Sequence, residues 1–323
     1  MQIKILLFFL LMLLLLVSLP STAADSYRPA AFIFEEIGAR STGLGGATTA
    51  LLDDVTSLYS NPAGLTGVDQ YQTFFDLGNT HNRDLFGSFA LAIPFQRRTT
   101  VAIAYSGLKL DDRYSIPVLG NDNNYHTKQY IKSEMQDIAE IGFGRIIGRG
   151  LSIGASARYT KTASTDPFAN YDGLFGNIGI RYNSAVKGMV FAATVKNLGG
   201  KLKGSADPDI PISVSAGFSF GKLLSSINYA NFAVEGIATE KHDLAVRAGA
   251  EYWWANYLGL RLGYDGLARE KTGNSYGGTF RGGISVNFRE MLIDLAAVPA
   301  RNGLRNSRLE ASIRMVFGEG RRR

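Results

Sequence analysis

Apolar and polar residues alternate with a period of two over most of the chain, from about Tyr71 to Phe317. In the segment 244–252, Arg247, Gly249 and Glu251 alternate with leucine, valine, alanine and tyrosine. Segments 150–161, 257–266 and 279–288 repeat this pattern. A period of two places one side-chain class on each face of a β-strand. The pattern therefore predicts strands with one apolar face and one small or charged face.

The alternation divides the chain into fourteen predicted strands, an even number, as single-chain bacterial barrels have. Most are near the roughly 9–11 residues that cross a bilayer at a tilt. The predicted strands are 71–77, 85–95, 99–109, 136–146, 150–161, 173–182, 188–197, 212–220, 226–236, 242–254, 257–266, 279–288, 291–299 and 308–317.

The connections between these strands alternate between long and short. The odd connections hold roughly 7, 26, 11, 14, 5, 12 and 8 residues, and the even ones roughly 3, 3, 5, 5, 2 and 2. A soluble sandwich has no reason to alternate in this way. A membrane barrel does, because its periplasmic turns are short and its outer loops longer.

Charged residues occupy one face of the clearer predicted strands only. Arg or Lys on the lipid face near the bilayer midplane costs about 2–4 kcal/mol, so the charged face must point into the lumen, where opposite charges pair. The sequence thus predicts an all-β fold, a fourteen-stranded antiparallel transmembrane β-barrel. A secreted soluble β protein is the alternative. The predicted lumen ion-pair network is Glu140, Arg158, Arg181, Lys196, Arg247, Glu251, Arg261, Asp265, Arg281, Asp294, Glu310 and Arg314.

The first 24 residues have the three parts of a secretory signal peptide. Lys4 precedes an apolar run from Ile5 to Leu19, and small residues follow up to Ala23 and Ala24. The run is shorter than the roughly 20 residues of a membrane span, although an uncleaved anchor remains the alternative. We expect export, cleavage after Ala23 or Ala24, and a location in the outer membrane of a Gram-negative-type bacterium.

Residues 25–68 lack the strand pattern. Leu51, Val55 and Leu58 fall on one face of a short predicted helix, which Thr48 or Thr49 caps and Asn61-Pro62 ends. We therefore divide the chain into a signal peptide (1–24), an N-terminal segment (25–68), a barrel (69–317) and a basic tail (318–323).

The N-terminal segment contains Gly43-Leu44-Gly45-Gly46-Ala47, Asp53-Asp54 and Leu58-Tyr59-Ser60-Asn61-Pro62-Ala63-Gly64-Leu65. This block resembles the opening of the PorV/PorQ family, within the broader FadL-like superfamily of outer-membrane barrels. The resemblance implies that residues 25–68 fold into the lumen as a helical hatch. The hatch motif that it indicates is Gly45, Gly46, Asp53, Asp54, Asn61, Pro62, Ala63 and Gly64.

Two interpretations of the hatch motif remain open. Asn61 either anchors the hatch to the wall through its amide or only ends a helix before the first strand. Asp53 and Asp54 either pair with lumen arginines such as Arg247 or Arg281, or lie on a solvated face.

Composition excludes several chemistries. There is no cysteine, so thiolate sites are absent. The net charge of +6 is scattered rather than arranged as a basic stripe, which argues against nucleic-acid binding. His81, His126 and His242 fall in or beside predicted outer loops, where an Asp–His pair is the one enzymatic possibility. We expect no catalysis, no cofactor and no metal.

The longest predicted loop, about 110–135, is the favoured contact surface for a partner or ligand. Asp111, Asp112, Tyr114, Tyr125 and Tyr130 are its contact candidates. A mobile polar loop without a partner is the alternative.

Three functions follow from the resemblance and the chain length. A PorV/PorQ-like protein would aid type IX-like secretion or surface attachment, with secretion-machinery proteins or cargo as partners. FadL members move fatty acids and other hydrophobic molecules. That second function predicts an apolar cavity under the hatch and a kink or gap in one strand, whereas a continuous wall around a charge-packed lumen argues against it. A structural barrel in outer-membrane lipid is the third. The compact length favours the first.

Overall fold

The computed structural model describes residues 31–80, 84–95, 98–119, 125–165, 170–199, 201–204, 210–239, 242–266, 278–299 and 307–318. The predicted signal peptide, residues 25–30 of the hatch, His81 and residues 319–323 of the basic tail lie outside this range. No helix among the described residues is long and apolar enough to cross a membrane.

The strands form one closed antiparallel sheet. The last strand pairs with the first, from Tyr71 opposite Phe317 to Gly78 opposite Glu310. Fourteen long strands make the wall, and the two-residue β8 adds to the end of β6. The strands are β1 Tyr71–Asn79, β2 Leu85–Phe95, β3 Thr99–Leu119, β4 Tyr125–Ile146, β5 Leu151–Ser164, β6 Tyr171–Asn183, β7 Met189–Leu198, β8 Lys203–Gly204, β9 Ser213–Leu223, β10 Tyr229–Thr239, β11 His242–Trp254, β12 Leu258–Asp265, β13 Thr279–Phe288, β14 Met291–Val298 and β15 Arg308–Phe317. The predicted fourteen-stranded barrel is confirmed.

The two faces of the wall are the reverse of those of a soluble sheet. Apolar side chains point outward into open surroundings, with Leu77 64%, Leu174 65% and Leu244 68% exposed. The inward face is buried and polar, as Glu251 and Asp265 show at 2% and 1% exposure. Such a wall is stable when hydrocarbon covers the outside and polar groups pair inside.

Short turns close one end of the barrel. Two of them use left-handed backbone, at Ala255 and Asn256 (φ 49° and 52°) and at Arg289 (φ 58°). Left-handed residues match the right-handed twist of two strands joined by a tight turn. The chain enters β1 from this end, which is the periplasmic end in a bacterial barrel.

The predicted loop 110–135 is wrong. β3 and β4 continue as a paired hairpin to Leu119 opposite Tyr125. β2 pairs with β3 only as far as Lys109, and β5 pairs with β4 only from Glu134. Residues 110–119 and 125–134, here called the outer ribbon, therefore project beyond their neighbours. Backbone pairing between two strands does not depend on apolar alternation, which is why the alternation did not predict this ribbon.

The hatch, described from residue 31 to residue 68, lies inside the barrel. It consists of a 3-10 turn at Ala31–Phe34, α1 at Ala39–Gly43, α2 at Ser57–Ser60 and a 3-10 helix at Pro62–Gly67.

The predicted helix through Leu51, Val55 and Leu58 is wrong, because turns occupy most of it and only α2 is helical. All three side chains are nevertheless buried, at 8% exposure or less. Wall side chains satisfy the backbone of these turns, so a regular helix is not required: Gln72 accepts from the Val55 N–H at 3.0 Å, and Arg181 donates to the Leu52 carbonyl at 2.8 Å.

Candidate functional site

The glycine-rich part of the hatch lies directly on wall backbone. Glycine has no Cβ, and there is no room for one here. A Cβ added to Gly263 would lie 2.1 Å from the Gly45 nitrogen, and one added to Gly249 would lie 2.6 Å from the Leu44 oxygen. Gly45 and Gly46 also adopt left-handed backbone, with φ 69° and 76°. At Gly45 and Gly263, this close approach requires glycine on both sides of the contact.

Asn61 joins the hatch to the opposite side of the wall. Its amide nitrogen donates to the carbonyls of Ile180 and Thr49, both at 3.1 Å. Its side-chain oxygen accepts from the Ala63 N–H at 3.1 Å. Gly179 leaves the necessary room, since a Cβ there would lie 1.9 Å from Asn61 Oδ1. Asn61 thus combines a turn function with an anchor to β6.

Pro62, Ala63 and Gly64 of the hatch motif pack tightly beside Asn61. A Cβ on wall Gly154 would lie 2.3 Å from the Pro62 carbonyl carbon, and a Cβ on Gly64 would lie 2.6 Å from the Leu52 oxygen. Ala63 is completely buried. The Asn61–Gly64 part of the motif is therefore a compact plug against β4–β6.

Asp54 lies at the centre of the hatch's ion pairs. Arg40 of the hatch lies 3.1 Å from its Oδ2, and Arg314 of β15 donates to the same oxygen. Arg40 also reaches Glu251 of the wall at 3.0 Å. Burial raises the pKa of Asp54, but Arg314 and Arg40 lower it further, so the net pKa is below its ordinary value. The carboxylate stays ionised and holds the hatch to the wall.

Glu36 forms a second link. Arg247 donates to it at 2.7 Å and to Asp265 at 2.9 Å, and Arg281 donates to the other oxygen of Asp265. Burial raises the pKa of Glu36, whereas Arg247 and other wall cations lower it to a net value below the ordinary one. Arg247 and Arg281 therefore pair with these acids, whereas Asp54 and Asp53 contact two other predicted lumen arginines, Arg314 and Arg181.

Two further ion-pair groups join wall residues to one another. Arg261, with a fully buried side chain, contacts Glu251 and lies 2.7 Å from Asp294. Arg158 lies 2.9 Å from Glu140. Buried charges are tolerated only in such pairs, because an isolated one is costly to desolvate.

The remaining predicted lumen residues contact the hatch backbone or its neighbours. Lys196 donates to the Tyr59 carbonyl at 3.1 Å. Arg181, besides its bond to Leu52, lies 3.8 Å from Asp53, whose side chain is 56% exposed. Glu310 lies 3.1 Å from Arg308.

Several contacts were not predicted from the sequence. Glu235 of β10 accepts the N–H groups of Thr48 and Thr49 at 3.0 and 2.9 Å, so these threonines are donors to the wall and not helix caps. Glu310 accepts the Gly38 N–H at 2.7 Å. Small residues on both faces of β10 weaken its alternation. Glu235 nevertheless lies on the inward face of this strand, and that position could have predicted it as a lumen residue.

A polar cavity of ≈ 470 Å³ lies between the hatch and the short turns. Its lining includes Arg40, Arg181, Arg314, Tyr229 and Trp253. The apolar cavity expected under the hatch is therefore not found at this place.

An apolar cluster lies instead toward the long-loop end of the lumen, and we call it the outer apolar cluster. Phe32 of the hatch fills it at 1% exposure, with its ring 6.0 Å from that of Phe86. The side-chain oxygen of Gln136 accepts a hydrogen bond from the Phe32 backbone N–H at 3.1 Å. The cluster comprises Phe32, Ile33, Phe86, Leu108, Ile138, Tyr171, Phe175, Leu202 and Ile210.

The wall is irregular beside this cluster. The pairing of β6 with β7 shifts register between Gly176 and Ile178. Asn197 on β7 has left-handed backbone (φ 64°). Beyond this point the outer end of β6 pairs with the short β8 instead.

The predicted outer-loop candidates lie in the outer ribbon. Asp111, Asp112 and Tyr114 belong to β3, and Tyr125 and Tyr130 to β4, with Tyr114 opposite Tyr130. Their contact with a partner stays a prediction.

Solved structures resemble this barrel, although no protein-family model matches the chain and no curated protein sequence matches it. The Pseudomonas putida toluene transporter TodX matches with a TM-score of 0.64 and 14% identity, over 87% of this chain and 98% of TodX. The fold is that of the FadL- and TodX-like outer-membrane barrels.

Two other structures give the same result. The monoaromatic hydrocarbon channel CymD matches with a TM-score of 0.59 and 14% identity, over 88% of this chain and 98% of CymD. A Pseudomonas aeruginosa FadL homologue matches with a TM-score of 0.57 and 9% identity, over 87% of this chain and 98% of the homologue. At these identities the likeness concerns the fold.

Proposed function

We propose that this protein carries small hydrophobic molecules across the outer membrane, without covalent chemistry. The observation that carries the proposal is the outer apolar cluster, a group of buried apolar side chains at the long-loop end of the lumen. Ligand sites are concave and mainly apolar, with few polar groups. TodX and CymD, which transport or conduct monoaromatic compounds, have the same fold.

The route for such a molecule is constrained by the charges. The hatch and its ion pairs fill the middle of the lumen, and the cavity below is lined by arginines. An apolar solute that crossed this region would separate buried ion pairs, which is costly. A lateral exit at the β6–β7 register shift, next to Phe175, avoids that cost.

Phe32 is the side chain to test, because it occupies the site in this conformation. We expect Phe32→Ala to raise the uptake of a monoaromatic hydrocarbon severalfold in cells and in vesicles containing the protein. Phe75→Ala is the matched control, since Phe75 faces outward and is 46% exposed. Equal uptake by wild-type cells and cells lacking the gene would overturn the proposal.

The second candidate is the PorV/PorQ-like role in secretion or surface attachment. The outer ribbon favours it, because a projecting hairpin offers contact surface to a secretion component or cargo. Replacing residues 112–132 with a short glycine–serine turn should then trap secreted cargo in the periplasm while hydrophobic uptake continues. Normal secretion after deletion of the whole gene would eliminate this candidate.

A further inference from the structure

A row of four charged residues crosses the outward face near the long-loop end. Asp137 of β4 is opposite Lys161 of β5, Lys161 is opposite Asp172 of β6, and Asp172 is opposite Lys203 of β8. Lys161, Asp172 and Lys203 are exposed and Asp137 is partly exposed. This row interrupts a face that is otherwise apolar.

The next row toward the short-turn end is apolar and aromatic. Tyr105, Ala139, Tyr159 and Leu174 are in register on β3 to β6. Tyr105 is 50%, Tyr159 44% and Leu174 65% exposed. One step of two residues is about 7 Å. Such a change from aromatic to charged residues marks the boundary of the hydrocarbon layer.

The carboxylates in the row are bound by the tyrosines below them. The Tyr105 hydroxyl donates to Asp137, and the Tyr159 hydroxyl donates to Asp172 at 3.4 Å. Within the described part of the chain, no salt bridge includes Lys161 or Lys203. The two ammonium groups are therefore available to an external anion.

This charged row belongs to one sector of the wall. Lys109 of β3 and Lys201 beside β8 are also exposed there. Elsewhere the outer ends of the strands present exposed apolar residues, namely Leu77, Leu85, Leu244, Phe280 and Leu309. Among the described residues, the exposed lysines near the long-loop end all lie in this β3–β8 sector.

We propose that the lysine row, Lys161 and Lys203, binds the phosphate groups of an anionic glycolipid in the outer leaflet. Phosphate oxygens accept strong hydrogen bonds from ammonium groups, and basic residues at a membrane surface attract anionic headgroups. The acyl chains of the same lipid pack on Tyr159 and Leu174 below. This inference is independent of the proposed transport function.

The test measures lipid bound to the full barrel in detergent micelles by native mass spectrometry. The probes are lipid A with two phosphates and the same lipid after phosphate removal. We expect Lys161→Gln/Lys203→Gln to weaken binding of the phosphorylated probe about tenfold or more. The matched control is Lys187→Gln/Lys222→Gln, which removes two exposed lysines at the short-turn end and should leave binding unchanged.

The dephosphorylated probe separates phosphate recognition from packing of the acyl chains. It should bind the wild-type barrel as weakly as the phosphorylated probe binds the double variant. Equal binding of both probes to the wild type, or equal binding of the phosphorylated probe to both double variants, would overturn the inference. The gel mobility shift of folded barrels on heating establishes that each variant is folded.

Discussion

Arg314 on the last strand of the barrel donates a hydrogen bond to Asp54 in the hatch, 260 residues earlier in the chain. Arg40 contacts the same carboxylate oxygen from within the hatch. One carboxylate thus binds two guanidinium groups and joins the hatch to the strand that closes the wall.

Asp54→Asn should destabilise the protein by about 3 kcal/mol or more, because it leaves two partly buried arginines without this counter-charge. Guanidinium unfolding in lipid vesicles measures the loss. Asp53→Asn is the matched control, since Asp53 is half exposed and lies 3.8 Å from Arg181. We expect the control to change stability by no more than about 0.5 kcal/mol. Equal effects of the two substitutions would contradict the assigned pairing.

Acid should loosen the hatch through Asp54 and Glu36. The pKa of each carboxyl is below its ordinary value in the folded protein, so the unfolded chain binds more protons in acid. Their stabilisation is complete above the pKa of the unfolded chain, about 4, and is lost as the pH falls through the folded-state pKa. In unfolding measured from pH 7 to pH 2.5, the contribution of these two carboxyl groups to the midpoint should be constant at the higher pH values and decrease in acid. Asp54→Asn should flatten the acid limb, and an unchanged limb would contradict the assignment.

Gly263→Ala should displace the hatch, because its new Cβ would lie 2.1 Å from the Gly45 nitrogen. We expect increased ion conductance across planar bilayers and lower unfolding stability. Gly282→Ala, on the neighbouring strand, is the control, since the nearest atom to its Cβ is the Arg261 oxygen at 3.8 Å. If both variants conduct like the wild type, the hatch does not need this close contact to stay in place.

Arg261→Gln should cost about 3–5 kcal/mol, because Glu251 and Asp294 would lose a fully buried counter-charge. The midpoint of guanidinium unfolding in vesicles reports this loss. Arg289→Gln at an exposed turn should change stability by less than about 0.5 kcal/mol. A loss below about 1 kcal/mol for Arg261→Gln would show that Arg40 alone compensates Glu251.

The wall was predictable because lipid imposes a simple rule on every strand that crosses it. Strand β11, which carries Arg247 and Glu251 on its inward face, was predicted with the bounds that the structure has. The inward position of a charge follows from the period of two alone. The residue that pairs with this charge does not follow from the period, because ion pairing depends on the register between distant segments of the chain.

The hatch and the outer ribbon were less predictable for different physical reasons. Asp53 and Asp54 are neighbours in sequence, yet one is exposed and the other buried. The irregular turn that contains both residues determines which of the two side chains is buried. No periodic sequence pattern describes such a turn. The ribbon extends beyond the strands on either side of it, so the alternation of the wall does not apply there and its sequence resembles a polar loop.

The contact between the hatch glycines and wall glycines also bears on how proteins of this design can diverge. Where backbone meets backbone, as at Gly45 and Gly263, any added side chain removes the contact and none can improve it. Natural selection therefore has few alternatives at these positions, whereas Phe32 and the residues around it can be exchanged for others of similar volume. New solute preferences are accordingly expected to arise at the outer apolar cluster, while the hatch–wall contact stays fixed.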